Sequence, residues 1–145
     1  MQKDINPVRN NNIQNKKNKI SNGVKILVVD DEEIMRNLFT DILQDRGYVV
    51  ITVCNGKEAQ QKTKDTFFHV AFIDVHMPVM NGVQTLRAIK ELSPKTAIVM
   101  MDSFPDVLLD EAEREGAVTC IHKPFEIKEL IEVIEEAIER KEKVV

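Results

Sequence analysis

The sequence predicts an α/β fold, a five-stranded parallel sheet in the order 2-1-3-4-5 flanked by five helices in a doubly wound arrangement. Three observations carry that expectation. Five short apolar runs alternate with five helical stretches along residues 24–145. The runs are apolar at consecutive positions, which marks strands covered on both faces and therefore parallel. The first and third of them run into aspartate at their C-terminal ends.

The chain opens with residues 1–23, which include Asn10-Asn11-Asn12 and Asn15-Lys16-Lys17-Asn18. So few apolar residues cannot offset the entropy of ordering, and the segment is expected to be a disordered extension. Lys25-Ile26-Leu27-Val28-Val29 then reads as a buried strand. From Glu32 to Arg46 apolar residues recur at Ile34, Met35, Leu38, Phe39, Ile42 and Leu43, a helical stripe closed by Gly47. Tyr48 to Val53 is β-branched and strand-like. Lys57 to Thr66 is polar and helical, and Val70-Ala71-Phe72-Ile73-Asp74 forms the third strand. The loop His76-Met77-Pro78-Val79-Met80-Asn81-Gly82 leads into a helix ending near Leu92. Thr96 to Met101 is a fourth strand, Asp106 to Glu115 a helix stopped by Gly116, and Val118 to Ile121 a fifth strand. The last helix, Glu126 to about Lys141, carries Ile127, Leu130, Ile131, Ile134 and Ile138 on one face. Right-handed crossovers leave few arrangements for such a series. The flavodoxin-like order 2-1-3-4-5 is one of the two common ones, and it opens a crevice at the C-terminal ends of strands 1 and 3.

Composition narrows the function classes. At 145 residues, 43% hydrophobic and 30% charged, the chain is one ordinary domain. No apolar run approaches the roughly 20 residues of a membrane span, and the polar N-terminus lacks a secretory h-region, so a cytoplasmic location is expected. The extension holds five basic residues and one acid, which leaves 15 basic and 23 acidic residues, a net charge of −8, for the domain. That balance argues against direct DNA binding. Cys54 and Cys120 are too few for a disulfide framework and are expected to be buried free thiols.

The chemistry gathers at the crevice. Asp30 and Asp31 follow strand 1 and Asp74 ends strand 3, and adjacent strands lie about 4.8 Å apart. Two charges about 5 Å apart oppose each other by roughly 3 kcal/mol at an effective dielectric near 20, a conflict that a divalent cation removes. Mg²⁺ suits one or two carboxylates with waters and a phosphate. Lys123, fixed before Pro124, aims an ammonium along the same edge toward Asp74. With a metal and an ammonium beside it, one carboxylate becomes a phosphoryl acceptor. Taken singly, an Asp-Asp pair before a helix ordinarily serves as cap and first-turn acid, and a Lys-Pro dipeptide is uninformative. Their joint placement at the sheet edge is what carries the signal.

These residues resemble the receiver domain of two-component response regulators. The matching pieces are Ile26-Leu27-Val28-Val29-Asp30-Asp31-Glu32, the run from Phe72 to Gly82 with its Asp-x-x-Met-Pro-x-Met-x-Gly pattern, and Lys123-Pro124-Phe125. The likeness runs from about residue 25 to 140. It implies that Asp74 is the phosphoacceptor and that Asp31 and Asp74 ligate Mg²⁺ directly. It further implies that Asp30 acts through water, that the backbone carbonyl of His76 is a further ligand, and that Lys123 contacts the phosphoryl group. A sensor histidine kinase or phosphotransfer protein would supply the phosphoryl group. A downstream protein would read the face of helix 4, strand 5 and helix 5. The chain stops at Val145, so it is expected to be a stand-alone receiver or a piece of a longer protein.

Two positions depart from the family's pattern. Where a Thr or Ser hydroxyl usually ends strand 4, counting from Asp74 gives Asp102; Ser103 is adjacent, but a one-residue step turns its side chain to the other face. Where an aromatic residue usually follows the motion of that hydroxyl stands Cys120. Asp102 has three roles open to it: repelling the phosphoryl group, pairing with Lys123, or joining the metal shell. Phe104 is placed to shield the acyl phosphate, whereas His69, His76 and His122 show no catalytic pattern in their side chains. The alternative function is a phosphorylation-independent protein-binding module. A metal-dependent hydrolase would need a cap for which the chain has no room.

Overall fold

The computed structural model describes residues 23–102 and 107–143. Residues 1–22 of the basic extension, together with Ser103 and Phe104, lie outside the described residues.

The five strands are β1 (Lys25–Val29), β2 (Val49–Val53), β3 (Val70–Asp74), β4 (Ala97–Asp102) and β5 (Thr119–His122). The helices are α1 (Glu33–Gln44), α2 (Gly56–Asp65), α3 (Gly82–Leu92), α4 (Val107–Arg114) and α5 (Ile127–Lys143). All pairings are parallel and the order is β2-β1-β3-β4-β5, as the sequence predicts. Both β4 and β5 run one residue further than their apolar runs indicate, so that Asp102 and His122 are strand residues in register with each other.

Alternation along each strand divides the core in two. Ile26, Val28, Phe72, Val99 and Met101 join Phe39, Ile42, Leu130 and Ile134 in a layer beneath α1 and α5. Leu27, Val29, Ala71, Ile73, Ile98 and Met100 face Ala59, Val83, Leu86 and Leu109, beneath α2, α3 and α4. The stripe expected on α1 is narrower than its periodicity suggests. Ile34 is 83% exposed and Leu38 is also exposed, because only Phe39, Ile42 and Leu43 reach the sheet fully. Ile127 at the start of α5 is exposed in the same way.

Local rules set the ends of the elements. Gly47 and Gly116 adopt positive φ just past α1 and α4, where a Cβ would be strained. α3 begins with a capping box in which Asn81 and Gln84 each satisfy the other's backbone N–H. Gly82 follows at a close approach: a Cβ there would lie 2.7 Å from Val75 Cα and closer still to the Asp74 carbonyl oxygen. Absence of a side chain at Gly82 is therefore what lets the start of α3 rest on the end of β3.

Candidate functional site

The carboxylates expected at the sheet edge do converge. Ligand oxygens of Asp30, Asp31 and Asp74 all lie within 4.8 Å of one another, with Asp30 and Asp74 buried and Asp31 exposed. Neither aspartate of the Asp30-Asp31 pair caps the following helix: the N-cap is Glu32, which makes no side-chain cap. Asp30 instead accepts from the Glu32 backbone N–H at 2.9 Å through Oδ1, while Arg36 donates to its carbonyl oxygen.

Lys123 enters this cluster after a cis Lys123–Pro124 bond. Its Nζ donates to Asp30 Oδ2 at 2.8 Å and stands 3.4 Å from Glu32 Oε1 and 3.7 Å from Asp74 Oδ2. Its nearest partner is thus Asp30 rather than Asp74. The turn is held from below by an aromatic chain: the Phe125 ring meets Phe39 edge-on at 5.4 Å, and Phe39 packs on Phe72 at 5.1 Å, two residues before Asp74.

Charge and burial shape the two central groups. Burial pushes the Asp74 carboxyl up to about 6. The Lys123 ammonium and a hydrogen bond from the His76 backbone N–H pull against that rise, whereas the Asp30 and Asp31 charges add to it. Burial would lower Lys123, but its hydrogen bond to Asp30 and the charges of Asp30, Asp74 and Glu32 prevail and raise it. The arrangement is a buried carboxyl beside a cation that keeps its proton. All the converging side-chain ligands are oxygens, the donor set that a hard cation such as Mg²⁺ selects.

Asp102 does not enter the three-carboxylate cluster, and Lys123 is not its side-chain partner. Its Oδ1 lies 2.6 Å from His122 Nδ1, while Oδ2 is buried with no hydrogen-bond partner among the described residues. The parity of β4 explains the placement, since Asp102 falls on the same side of the sheet as Met100, and β5 sets Cys120 and His122 on that side too. Pairing with Lys123, one role open to Asp102 from the sequence, is therefore not the one observed. Sequence reasoning misses His122 because the apolar run of β5 ends one residue before it.

The other polar candidates are simpler. The His76 side chain is exposed in the loop after β3. His69 accepts from the Lys25 backbone N–H, at the opposite end of the sheet from the cluster. Cys54 and Cys120 are free but half-buried rather than buried, because Cys54 falls just beyond β2, where its thiol meets Glu58 Oε1, and Cys120 lies on the edge strand. Among the described residues no helix is long and apolar enough to cross a membrane.

Comparison with known proteins agrees with this fold. The response regulator receiver domain family matches residues 26–135. The chain is 32% identical over 114 residues to the chemotaxis protein CheY of Thermotoga maritima, an alignment covering 77% of this chain and 95% of that protein. It is 36% identical over 117 residues to protein PilG of Pseudomonas aeruginosa, covering 79% and 87%. A CheY-like receiver domain protein from Methanospirillum hungatei superposes with a TM-score of 0.79 at 28% identity, covering 83% of this chain and 97% of that one.

Proposed function

Because the chain belongs to the response regulator receiver domain family, we propose that it accepts a phosphoryl group on Asp74 within a two-component phosphorelay and signals through protein contacts. The observation that carries this reading is the buried Asp74 carboxyl with Asp31 within 4.8 Å and the Lys123 ammonium 3.7 Å away.

Asp31 and Asp74 would hold Mg²⁺ directly, with the His76 backbone carbonyl as a further ligand. Asp30 would act through water, which fits its two oxygens being already committed to the Glu32 N–H and Lys123. When bound, the ion supplies positive charge against the oxygens of the transferring group. In the transfer, an Asp74 carboxylate oxygen attacks the phosphorus of a phosphohistidine. The P–N bond breaks as the P–O bond forms, and the leaving imidazole takes up a proton. Lys123 stays protonated and turns from Asp30 toward the new phosphoryl oxygens. Donor and target remain classes: a sensor histidine kinase or phosphotransfer protein in the cytoplasm, and a protein that reads the face of α4, β5 and α5, without direct contact to DNA.

Asp102 favours a second reading. A carboxylate held by His122 offers no hydroxyl to grip a phosphoryl oxygen, so the domain would bind partners independently of phosphorylation. Amide NMR during an Mg²⁺ titration, followed by addition of phosphoramidate, separates the two. The phosphoacceptor reading expects shifts at Asp30, Asp31 and Asp74 with Mg²⁺, then a second set on phosphorylation. It also expects Asp102→Thr to raise the phosphorylated fraction or its conformational response. Mg²⁺ binding without any second set, in wild type and variant alike, would favour the binding module.

A further inference from the structure

Asp102 is fastened to the last residue of β5 and to the residue that follows it. Its backbone carbonyl accepts from the Lys123 N–H at 2.6 Å, and its side chain meets His122 Nδ1 at the same distance. The two neighbours point to different places. Lys123 sends its ammonium inward to Asp30 and Asp74, whereas His122 lies at the surface, its side chain 59% exposed against 0% for that of Asp102. A carboxylate only accepts hydrogen bonds, so the imidazole Nδ1–H is the donor. One short polar chain therefore joins the acid pocket to the outside of the edge strand.

From this connection we propose that His122 is a positioning residue that carries the state of the phosphoryl pocket to the exposed edge of β5, acting through Asp102. The inference rests on the phosphoacceptor reading of Asp74.

The chain is built to respond. Asp102 Oδ2 is buried and without a hydrogen-bond partner among the described residues, while His122 holds the other oxygen, Oδ1. A phosphoryl group on Asp74 draws Lys123 away from Asp30, and the peptide that Lys123 shares with His122 is bonded to the Asp102 carbonyl. Negative charge arriving in the pocket also repels the Asp102 carboxylate. Both effects act on the same contact, the Oδ1–Nδ1 hydrogen bond. Releasing or reorienting the imidazole changes what β5 presents to a partner. Cys120, two residues earlier on that side of β5, is a small side chain that leaves the imidazole as the larger polar group of the pair. The Asp102 charge reaches it as well, adding to burial in raising the thiol.

The test uses the whole chain with Mg²⁺ and beryllofluoride, a stable mimic of the phosphoryl group on a carboxylate. Binding is followed by the Asp74 and Val75 amides, and the His122 ring by its imidazole ¹⁵N and ¹H resonances. We expect a hydrogen-bonded Nδ1–H signal in the free protein that is lost or displaced once the analogue is bound. In His122→Leu the pocket amides should still saturate while the induced changes across Val107–Arg114 are lost, and His122→Gln, which retains a donor, should restore part of them. A merely structural role would lower stability in His122→Leu and leave those induced changes intact. Saturation of the pocket with an unmoved His122 ring overturns this inference alone. Failure of the analogue to bind overturns the phosphoacceptor reading and the inference with it.

Discussion

At the scale of single residues, the site is a balance between burial and charge centred on Asp74. Its folded value of about 6 lies above the ordinary 3.8, so the unfolded chain loses this proton first as pH rises. The stability contributed by the retained proton is complete below about pH 4 and is lost as pH climbs through about 6. The full interval corresponds to at most about 3 kcal/mol, and screening by solvent reduces it. Asp74→Asn cannot ionise. In the metal-free protein it should be more stable than wild type by about 1–2 kcal/mol at pH 7, with the gap closing near pH 4. Urea denaturation in a chelator at both pH values measures this, and equal stability at pH 7 would mean that Asp74 ionises there without cost. The same residue was legible in the sequence, because an acid that directly continues a fully apolar strand puts a charge where burial disfavours one. His122 was not, because its significance depends on a cross-strand neighbour.

At the scale of elements, the sequence located every strand and helix, and the departures lie at their ends. β1 and β3 have the boundaries their apolar runs predict, since both are central strands packed on two faces. β4 and β5 extend one residue into polar positions, where ladder pairing continues although hydrophobicity stops. That single step hid the Asp102–His122 pair. The exposed Ile34 and Leu38 on α1 show the converse limit: a helical stripe records which residues are apolar, not how many the sheet can cover. The junction of β3 with α3 yields a prediction at this scale. Gly82→Ala would place a Cβ 2.7 Å from Val75 Cα and 2.9 Å from Met100 Cε, and nearer still to the Asp74 carbonyl. Overpacking of this kind costs about 1–3 kcal/mol. The backbone displaced is that of Asp74, the proposed acceptor, so the initial rate of phosphorylation by a small donor should fall as well. Denaturation paired with that rate checks both, and a destabilised variant with an unchanged rate would separate the junction from the chemistry.

At the scale of the whole molecule, the fold brings three chain segments together in the pocket, at one edge of the sheet, by means of two layers of core. The alternation of elements and the handedness of crossovers narrowed the strand order to few arrangements, and the order 2-1-3-4-5, which brings together the acids ending strands 1 and 3, is the one observed. What holds the pocket in place was less legible. Phe39 joins the turn carrying Lys123 to the strand carrying Asp74, by touching Phe125 and Phe72 at once. It is fully buried in the layer beneath α1 and α5. Phe39→Ala should cost about 3–5 kcal/mol, the range for emptying an aromatic site in a core. It should also loosen the Lys123 turn, visible as broadened or shifted Lys123 and Phe125 amides in the variant that remains folded. A loss below about 1 kcal/mol would show that the aromatic chain is not the support described.

The central claim is that Asp74 accepts a phosphoryl group in a pocket formed with Asp30, Asp31 and Lys123. Its most direct test is the intact mass of the protein after incubation with acetyl phosphate and Mg²⁺, for wild type and Asp74→Ala side by side. One phosphoryl adduct is expected on the wild type, absent from the variant and absent when Mg²⁺ is chelated. An adduct of equal yield on Asp74→Ala, or none on a wild type shown separately to bind Mg²⁺, would contradict the claim.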